Sequence, residues 1–331
     1  MHTARELSNH REMNGYSAGS GVKSIRISCS FSDGVDTVRR VVPPRVAEWR
    51  DGGRTLTTPA GTVFVRSAPG DGPTILLLHG YPSSSFDYRQ VVPHLAGRAW
   101  LTLDFLGFGL SDKPRPHRYS LLEQADIVQA VVADSAPGPL VLVAHDMGTS
   151  VTTELLARDL GGRLPFELQR VVLSNGSVIL RRASLRPIQK VLRGPLGPLA
   201  ARLSSEAMFS REFARLFSAN HPLSADEADA QWALMSYNGG HRIAHLLISY
   251  LDERDRYAER WHGAVRDWPK PLSFLWALDD PVATTNVLDG LRELRPAADV
   301  VELPGVGHYP HVEVPEVFAR AALSLLATAS H

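Results

Sequence analysis

From Trp49 onward, the hydrophobic residues of the chain fall into short runs that alternate with longer stretches of helical periodicity. Several of the runs are almost continuously apolar, which is typical of strands that are covered on both faces. This alternation predicts an α/β fold with a mainly parallel central sheet flanked by crossover helices. The predicted strands are 62–67, 74–78, 100–103, 140–143, 171–173, 272–276 and 300–303.

Two of the predicted helices have recognisable first turns. Ser120 followed by Glu123 predicts a capping box, in which both side chains bind free backbone amides. Apolar residues at helical spacing follow, from Leu121 to Val132. Pro315 predicts the start of a C-terminal helix, because proline is well tolerated at the first helical position.

One interval, from about Asn175 to Trp268, contains no predicted strand and consists of helical patterns rich in Arg, Leu and aromatic residues. A helical insertion between two strands predicts a cap over the carboxyl edge of the sheet, where substrates of open α/β folds bind. We therefore expect an α/β core made of residues 46–175 and 269–331 and a helical cap at 176–268. The polar residues 1–45 are expected to be weakly structured.

The composition narrows the range of functions. The 331 residues are 44% hydrophobic and 21% charged, as expected for a globular protein with a sizeable core. Since 35 Lys and Arg balance 35 Asp and Glu, nothing in the charge balance favours nucleic acid or an anionic membrane as the main partner. The single Cys29 excludes an internal disulfide, and no apolar run reaches the roughly 18 residues of a membrane span. The N-terminus lacks the apolar segment of a secretory signal, so the sequence predicts a cytoplasmic protein.

The most informative segment is the apolar run 140–143 and the residues that follow it. A buried strand that passes directly into a helix places Asp146 at a sharp turn, which projects the central side chain above the sheet. The small residues Ala144 and Gly148 let the backbone pass closely, and the helix N-terminus offers free N–H groups to an anion. Taken alone, Asp146 is equally well explained as a helix cap.

A second segment supplies candidate hydrogen-bond donors. The run 76–78 ends in His79-Gly80-Tyr81-Pro82. The backbone N–H of Tyr81, paired with that of Met147, would form an oxyanion hole with two donors. An ordinary turn after a strand is the alternative, since Gly and Pro occur in any loop. A literal G-x-S-x-G pattern at 15–19 has no strand before it, so it carries little weight.

Two later loops supply a base and an acid. His308 follows the strand 300–303, and Asp279 and Asp280 follow the strand 272–276. Nucleophile, acid and His thus lie just beyond three strand ends, in a chain order that is known for hydrolases. Asp280 is preferred because it precedes a proline, and Asp279 is the alternative. His311 has no further ligand at a recognised spacing, so neither a metal nor another cofactor is expected.

These residues resemble the α/β-hydrolase superfamily, in its epoxide hydrolase and haloalkane dehalogenase branch. That branch carries His-Gly-X-Pro and an Asp nucleophile in His-Asp-X-Gly, and the likeness extends from Trp49 to the C-terminus. The stretches GFGLSDKPRPH at 107–117 and LSNG at 173–176 are more closely similar to mesoderm-specific transcript proteins. The resemblance implies that Asp146 attacks the substrate and that His308, oriented by Asp280, activates water.

The chain also departs from this pattern. Met147 stands where haloalkane dehalogenases typically have a halide-binding Trp and fluoroacetate dehalogenases an Arg, and its thioether cannot donate a hydrogen bond. Tyr81 stands where many dehalogenases have Asn or Glu. The resemblance to epoxide hydrolases instead implies a cap tyrosine as proton donor, for which Tyr250 is the candidate. A buried core residue is the alternative for Tyr250, and Tyr237 fits a second donor by position alone.

The sequence thus predicts a hydrolase that forms a covalent alkyl ester on Asp146 and releases it with water. Its substrate would be a small apolar electrophile, first of all an epoxide. A haloalkane dehalogenase or another α/β-hydrolase activity is the first alternative. A non-catalytic ligand-binding or scaffold protein of the same fold is the second. The oligomeric state is left open.

Overall fold

The computed structural model describes residues 42–136 and 138–327, and these contain an eight-stranded sheet of order β1-β2-β4-β3-β5-β6-β7-β8. The strands β1 and β2, and likewise β2 and β4, pair antiparallel, whereas all pairings from β4 to β8 are parallel. The predicted α/β fold is therefore confirmed. The strands are β1 Arg54–Thr58, β2 Gly61–Ala68, β3 Asp71–Leu78, β4 Arg98–Leu103, β5 Leu140–His145, β6 Leu168–Ser174, β7 Leu272–Ala277 and β8 Val300–Leu303.

All seven predicted strands are present, and most extend beyond the predicted ends by one to three residues. The prediction missed β1, a strand at the sheet edge with only one fully buried residue, Thr58. An edge strand with one face in solvent lacks the apolar run that marked the others.

The central strands are covered on both faces, because alternate residues of one strand enter different cores. In β3, Leu76 and Leu78 pack against helices α2 and α3, while Ile75 and Leu77 pack on the side of α1 and α13. The helices are α1 Pro44–Asp51, α2 Leu121–Ser135, α3 Met147–Leu160, α4 Pro187–Arg193, α5 Gly197–Arg202, α6 Glu206–Ala214, α7 Ala225–Ser236, α8 Ala244–Leu247, α9 Tyr250–Arg256, α10 Ala258–Asp267, α11 Thr285–Leu294, α12 Pro310–Glu313 and α13 Pro315–Ala327.

The two predicted helix starts are correct, but the predicted capping box is only half formed. The Ser120 hydroxyl accepts a hydrogen bond from the amide of Leu122. The Glu123 carboxylate binds the ring of His117 instead of a backbone amide. A second carboxylate, Glu253 of α9, accepts hydrogen bonds from the Ser120 hydroxyl at 3.2 Å and the Leu121 amide at 2.7 Å. The cap segment therefore completes the N-terminus of a core helix.

Residues 176–268, which we call the cap, contain helices and no strand, and they connect β6 to β7. Residues 1–41 of the segment expected to be weakly structured lie outside the described residues, and α1 begins at Pro44 near the end of that segment. Over the described ranges, no helix is both long enough and apolar enough to cross a bilayer.

Candidate active site

Asp146 lies at the turn between β5 and α3, in a backbone conformation that L-residues rarely adopt. Its φ is 41° and its ψ is −110°. Such a conformation persists only where the surroundings hold it, and it lifts the side chain above the strand ends. The carboxylate makes no capping hydrogen bond to α3 within the described chain. The interpretation of Asp146 as a simple helix cap is therefore wrong.

Two glycines make room for this turn. A Cβ atom on Gly80 would lie 2.6 Å from the Cβ of Asp146, and one on Gly148 would lie 2.7 Å from the carbonyl oxygen of Leu78. Both distances are too short for a real side chain. The close approach of the turn to the end of β3 thus depends on glycine at both positions.

The Tyr81 backbone amide donates a hydrogen bond of 2.9 Å to Oδ2 of Asp146. Met147 is the first residue of α3, so its N–H belongs to the free amides of the helix start. The structure thus brings the two predicted donors to the same carboxylate, one by a hydrogen bond and one by its place in the chain. Their action on an oxyanion remains a prediction.

His308 and Asp280 form a buried pair beside Asp146. Nδ1 of His308 lies 2.7 Å from Oδ2 of Asp280. The same oxygen accepts a hydrogen bond from Nδ2 of Asn175, and Oδ1 accepts from the amides of Val282 and Ala283. With both oxygens satisfied, the Asp280 carboxylate is held in one orientation. It therefore fixes the ring of His308.

The electrostatics of His308 follow from this pair. Burial disfavours the charged imidazolium, but the charge and hydrogen bond of Asp280 outweigh it, with a further contribution from Asp146, so the pKa of His308 is raised. Because Nδ1 is engaged, Nε2 is the nitrogen left for a water molecule. The alternative acid, Asp279, is exposed, so the geometry favours Asp280.

A cavity opens above these residues. Its floor includes Tyr81, Asp146 and His308 from the core. Its walls come largely from the cap and are mostly apolar, with Arg186 and Glu212 as charged members. The cap residues that line it are Arg186, Ile188, Gln189, Leu192, Ser204, Met208, Phe209, Glu212, Phe213, Leu216, Met235 and Ala244.

The sequence analysis missed Arg254 of α9, which is only 1% exposed and lies against the turn that carries Asp146. Its Nε donates a hydrogen bond of 2.7 Å to the hydroxyl of Ser150. Its Nη2 donates to the backbone oxygen of Asp146 at 3.2 Å and lies 3.5 Å from the carboxylate oxygen Oδ1. The i,i+4 spacing of Tyr250 and Arg254, which places both on one helix face, was the available signal.

Tyr250 is buried in the same cluster. Its ring lies 5.8 Å from the ring of Tyr81 and 4.6 Å from the guanidinium of Arg254. Burial and the nearby Asp146 raise the pKa of Tyr250, while Arg254 opposes that rise. Burial and Asp146 likewise raise the pKa of Tyr81. Of the two phenols, Tyr81 is the one that lines the cavity within the described residues.

The remaining candidate residues lie elsewhere or have structural partners. His79 binds the Gly80 carbonyl through Nδ1 and accepts the Phe105 amide through Nε2, as expected for a buried structural residue. His145 binds the backbone oxygen of His308. The ring of Tyr237 contacts the ammonium of Lys113. In the described part of the chain no group of three or more His, Cys, Asp or Glu side chains could hold a metal ion.

A family model described as the alpha/beta hydrolase family matches residues 75–321. The chain belongs to the α/β hydrolase family. This hydrolase is 75% identical over 283 residues to LipZ of Mycobacterium tuberculosis, which is itself named a hydrolase, with 86% of this chain and 98% of LipZ covered.

The predicted likeness to mesoderm-specific transcript proteins is also confirmed. The human homolog is 32% identical over 297 residues, which cover 86% of this hydrolase and 88% of the human protein. Among solved structures, haloalkane dehalogenase DbeA from Bradyrhizobium elkani superposes with a TM-score of 0.70 at 20% identity, covering 83% of this chain and 97% of DbeA. At that identity, the match with DbeA shows a shared fold only.

Proposed function

We propose that this hydrolase opens an epoxide through a covalent alkyl ester on Asp146 and releases a diol. The observation that carries the proposal is the carboxylate of Asp146 itself. It stands at a strained turn on the cavity floor, beside the Asp280-oriented ring of His308. A carboxylate at this position is a nucleophile toward saturated carbon without help from a base, which leaves His308 for a later step.

In the first step, a carboxylate oxygen of Asp146 forms a bond to an epoxide carbon and the ring C–O bond breaks. The departing oxygen then takes a proton from a phenol. Tyr250 is the candidate proton donor, and Tyr81 is its neighbour. The raised pKa values of both phenols keep them protonated until a stronger base develops. Tyr81 thus adds a candidate phenol to the backbone donor that we expected at this position.

Arg254 supports the same step through its charge. Alkylation removes the negative charge of Asp146, and proton transfer creates a negative charge on a phenol oxygen. The guanidinium of Arg254 lies next to both Asp146 and Tyr250. The negative charge that leaves Asp146 and forms on the Tyr250 oxygen therefore stays beside the same buried cation. A buried cation would otherwise be left without its anion after alkylation, at a high cost in free energy.

In the second step, Nε2 of His308 takes a proton from water, and the resulting hydroxide attacks the carboxyl carbon of Asp146. The oxyanion is stabilised by the amides of Tyr81 and Met147, each contributing about 3 kcal/mol in comparable sites. The acyl C–O bond of the ester then breaks, and the proton of the added hydroxyl moves to the departing alkoxide, so that a diol leaves. The proton on His308 returns to the phenolate. Asp146 regains its charge for the next cycle.

Replacing the base tests this scheme. We expect His308→Gln to accumulate the alkyl-enzyme on exposure to styrene oxide, seen by mass spectrometry as an added substrate mass on the peptide that contains Asp146. The matched control is the double variant His308→Gln with Asp146→Ala, which should show no added mass. An unmodified Asp146 peptide in a protein that turns over styrene oxide would contradict the covalent scheme.

A dehalogenase is the second candidate, because His-Gly-X-Pro at 79–82 and His-Asp-X-Gly at 145–148 also resemble the haloalkane dehalogenase branch. The thioether of Met147 provides no halide donor, which weighs against it. Halide release from brominated and chlorinated alkanes, measured beside diol formation from styrene oxide, separates the two activities. Halide release without diol formation would replace the epoxide proposal. No turnover, with ligand binding unaffected by Asp146→Ala, would favour a non-catalytic binding protein.

A further inference from the structure

Helix α5 of the cap carries leucines on its exposed side and small residues on its buried side. Leu196, Leu199 and Leu203 lie on one face, at spacings of three and four residues, and are 66%, 55% and 64% exposed. The opposite face is formed by small residues, of which Gly197 and Ala201 are buried. A surface helix normally buries its leucines, so the folding of the chain does not explain this arrangement. We call the three residues the leucine face.

The leucine face belongs to a wider apolar region. Two further exposed hydrophobic residues, Val191 and Met208, lie close to it along the chain, and each is 43% exposed. In the described ranges, only two other large hydrophobic side chains are as exposed, Leu160 and Val317. Clustered apolar exposure marks a surface that contacts something other than water.

The segment that carries the leucine face contains only basic charges. Residues 181–203 contain six basic residues and neither Asp nor Glu, in a chain whose net charge is zero. Arg182 and Arg193 have carboxylate partners. Lys190 and Arg202 are exposed and have no carboxylate partner in the described part of the chain. A basic surface with protruding leucines is complementary to an anionic lipid surface, because the charges meet phosphates while the leucines enter the acyl boundary.

The helices before and after α5 line the active-site cavity. Ile188 and Leu192 of α4, Ser204, and Met208 of α6 all line it. Met208 is therefore both exposed on the outer surface and part of the cavity wall. An apolar substrate that leaves a bilayer at this point would enter the cavity without crossing bulk water.

We propose that the leucine face docks the protein on the surface of anionic lipid bilayers, with the cavity mouth toward the lipid. The contact is peripheral, since three leucines reach only the outer acyl region. A second copy of the chain is a less suitable occupant, because a symmetric contact would bring two basic segments together. This inference concerns binding, so it stands or fails separately from the proposed reaction.

Vesicle flotation of the full chain tests the proposal. We expect wild-type protein to float with phosphatidylcholine vesicles that contain phosphatidylglycerol, and much less with phosphatidylcholine alone or in high salt. The double variant Leu196→Asp, Leu199→Asp should lower the bound-to-free ratio roughly tenfold or more. Lys190→Glu with Arg202→Glu should also lower it about tenfold, and only for the anionic vesicles.

The matched control is Leu160→Asp with Val317→Asp, which changes two exposed apolar residues outside the cap. This control should float like wild type, and turnover of a water-soluble epoxide should be the same in all variants. Failure of the wild type to float, or equal loss in the control, would overturn the proposal. So would a dimer in light scattering that dissociates in the leucine variant, because the second copy would then be the occupant.

Discussion

The two sides of the candidate active site are built in different ways. On the core side, Asp146, Asp280 and His308 each follow the end of a parallel strand, and the local backbone places them. On the cap side, Arg254 and Tyr250 come from the short helix α9, more than a hundred residues after Asp146 in the chain. Their positions depend on the packing of the cap against the core.

The difference explains which residues carry a sequence signal. A sharp turn after a buried strand needs small residues at fixed offsets, as at Gly80 and Gly148, so it leaves a motif. A residue that reaches the site through tertiary packing needs only the right helix face, which leaves no motif. Core-side substitutions should therefore abolish a chemical step, whereas cap-side substitutions should change its rate or the stability of the fold.

The largest effect is expected for the orienting acid. Asp280→Asn should slow hydrolysis of the alkyl-enzyme roughly 10³-fold or more, because the His308 ring loses its partner at Nδ1. The pH dependence should also shift. His308 acts as a base only when neutral, so the step is lost as the pH falls through its raised pKa. Without the Asp280 charge that pKa is lower, and the acid limb should move to lower pH.

Single-turnover decay of the alkyl-enzyme, followed by mass spectrometry across pH, measures both effects. The matched control is Asp279→Asn, the exposed neighbour of Asp280, which should leave the rate and the acid limb unchanged. If the two variants behave alike, Asp280 does not orient the base, and the role assigned to this core-side residue is wrong.

A smaller effect is expected from the cap side. Arg254→Gln should slow formation of the alkyl-enzyme roughly 10- to 100-fold, because the charge that moves from Asp146 loses its neighbouring cation. The rate is best measured in the His308→Gln background, where the second step no longer contributes. Arg254→Lys keeps the charge and should restore part of the rate.

Arg256→Gln is the control for this change, since Arg256 is exposed on the same helix. It should form the alkyl-enzyme at the normal rate. A normal rate for Arg254→Gln, accompanied by a lower melting temperature, would show instead that Arg254 only fastens the cap to the core. The difference between the two sides would then be larger, because Arg254 on the cap side would have no part in the chemistry.

The fold was predicted well because its signals are local and repeated. The strands β3 and β5 are buried on both faces, so each contains an almost continuous apolar run. Such a run identifies a strand without knowledge of its partners. The edge strand β1 escaped prediction because water covers much of it. The capping box failed at Glu123 because the Glu123 carboxylate binds His117 instead. The cap residue Glu253, which is distant in the chain, accepts hydrogen bonds from the Ser120 hydroxyl and the Leu121 amide.

The geometry of the candidate site was predicted only in part. Asp146, His308 and Asp280 come together as expected, and the Tyr81 amide meets the carboxylate. Arg254 and the phenol of Tyr81 were not anticipated, since no motif marks either one and the i,i+4 spacing of Arg254 from Tyr250 occurs on any helix. The outward leucines of α5 were also invisible, because helical periodicity alone does not show which face of a helix meets the core.

The smallest effect on chemistry should come from Glu154 of α3, which fastens the cap from the core side. Its buried carboxylate accepts hydrogen bonds from Arg158 of the core and from Arg260 and Trp261 of the cap. We expect Glu154→Gln to lower the free energy of unfolding at pH 7 by about 2 kcal/mol. The NH₂ group of the glutamine would face the N–H donors of Arg158, Arg260 and Trp261, which need an acceptor. Urea unfolding measures this change, with the exposed neighbour Glu259→Gln of α10 as the control.

The pH dependence of that change separates charge from packing at Glu154. Burial opposes ionisation, but the bonds from Arg260, Trp261 and Arg158 outweigh it and lower the pKa of Glu154 below its usual value of 4.5. The carboxylate therefore contributes its full stability above pH 4.5 and loses it as the pH falls through the lowered pKa. The gap between wild type and Glu154→Gln should narrow in acid. A gap that stays constant with pH would mean that shape rather than charge at Glu154 holds the cap on the core.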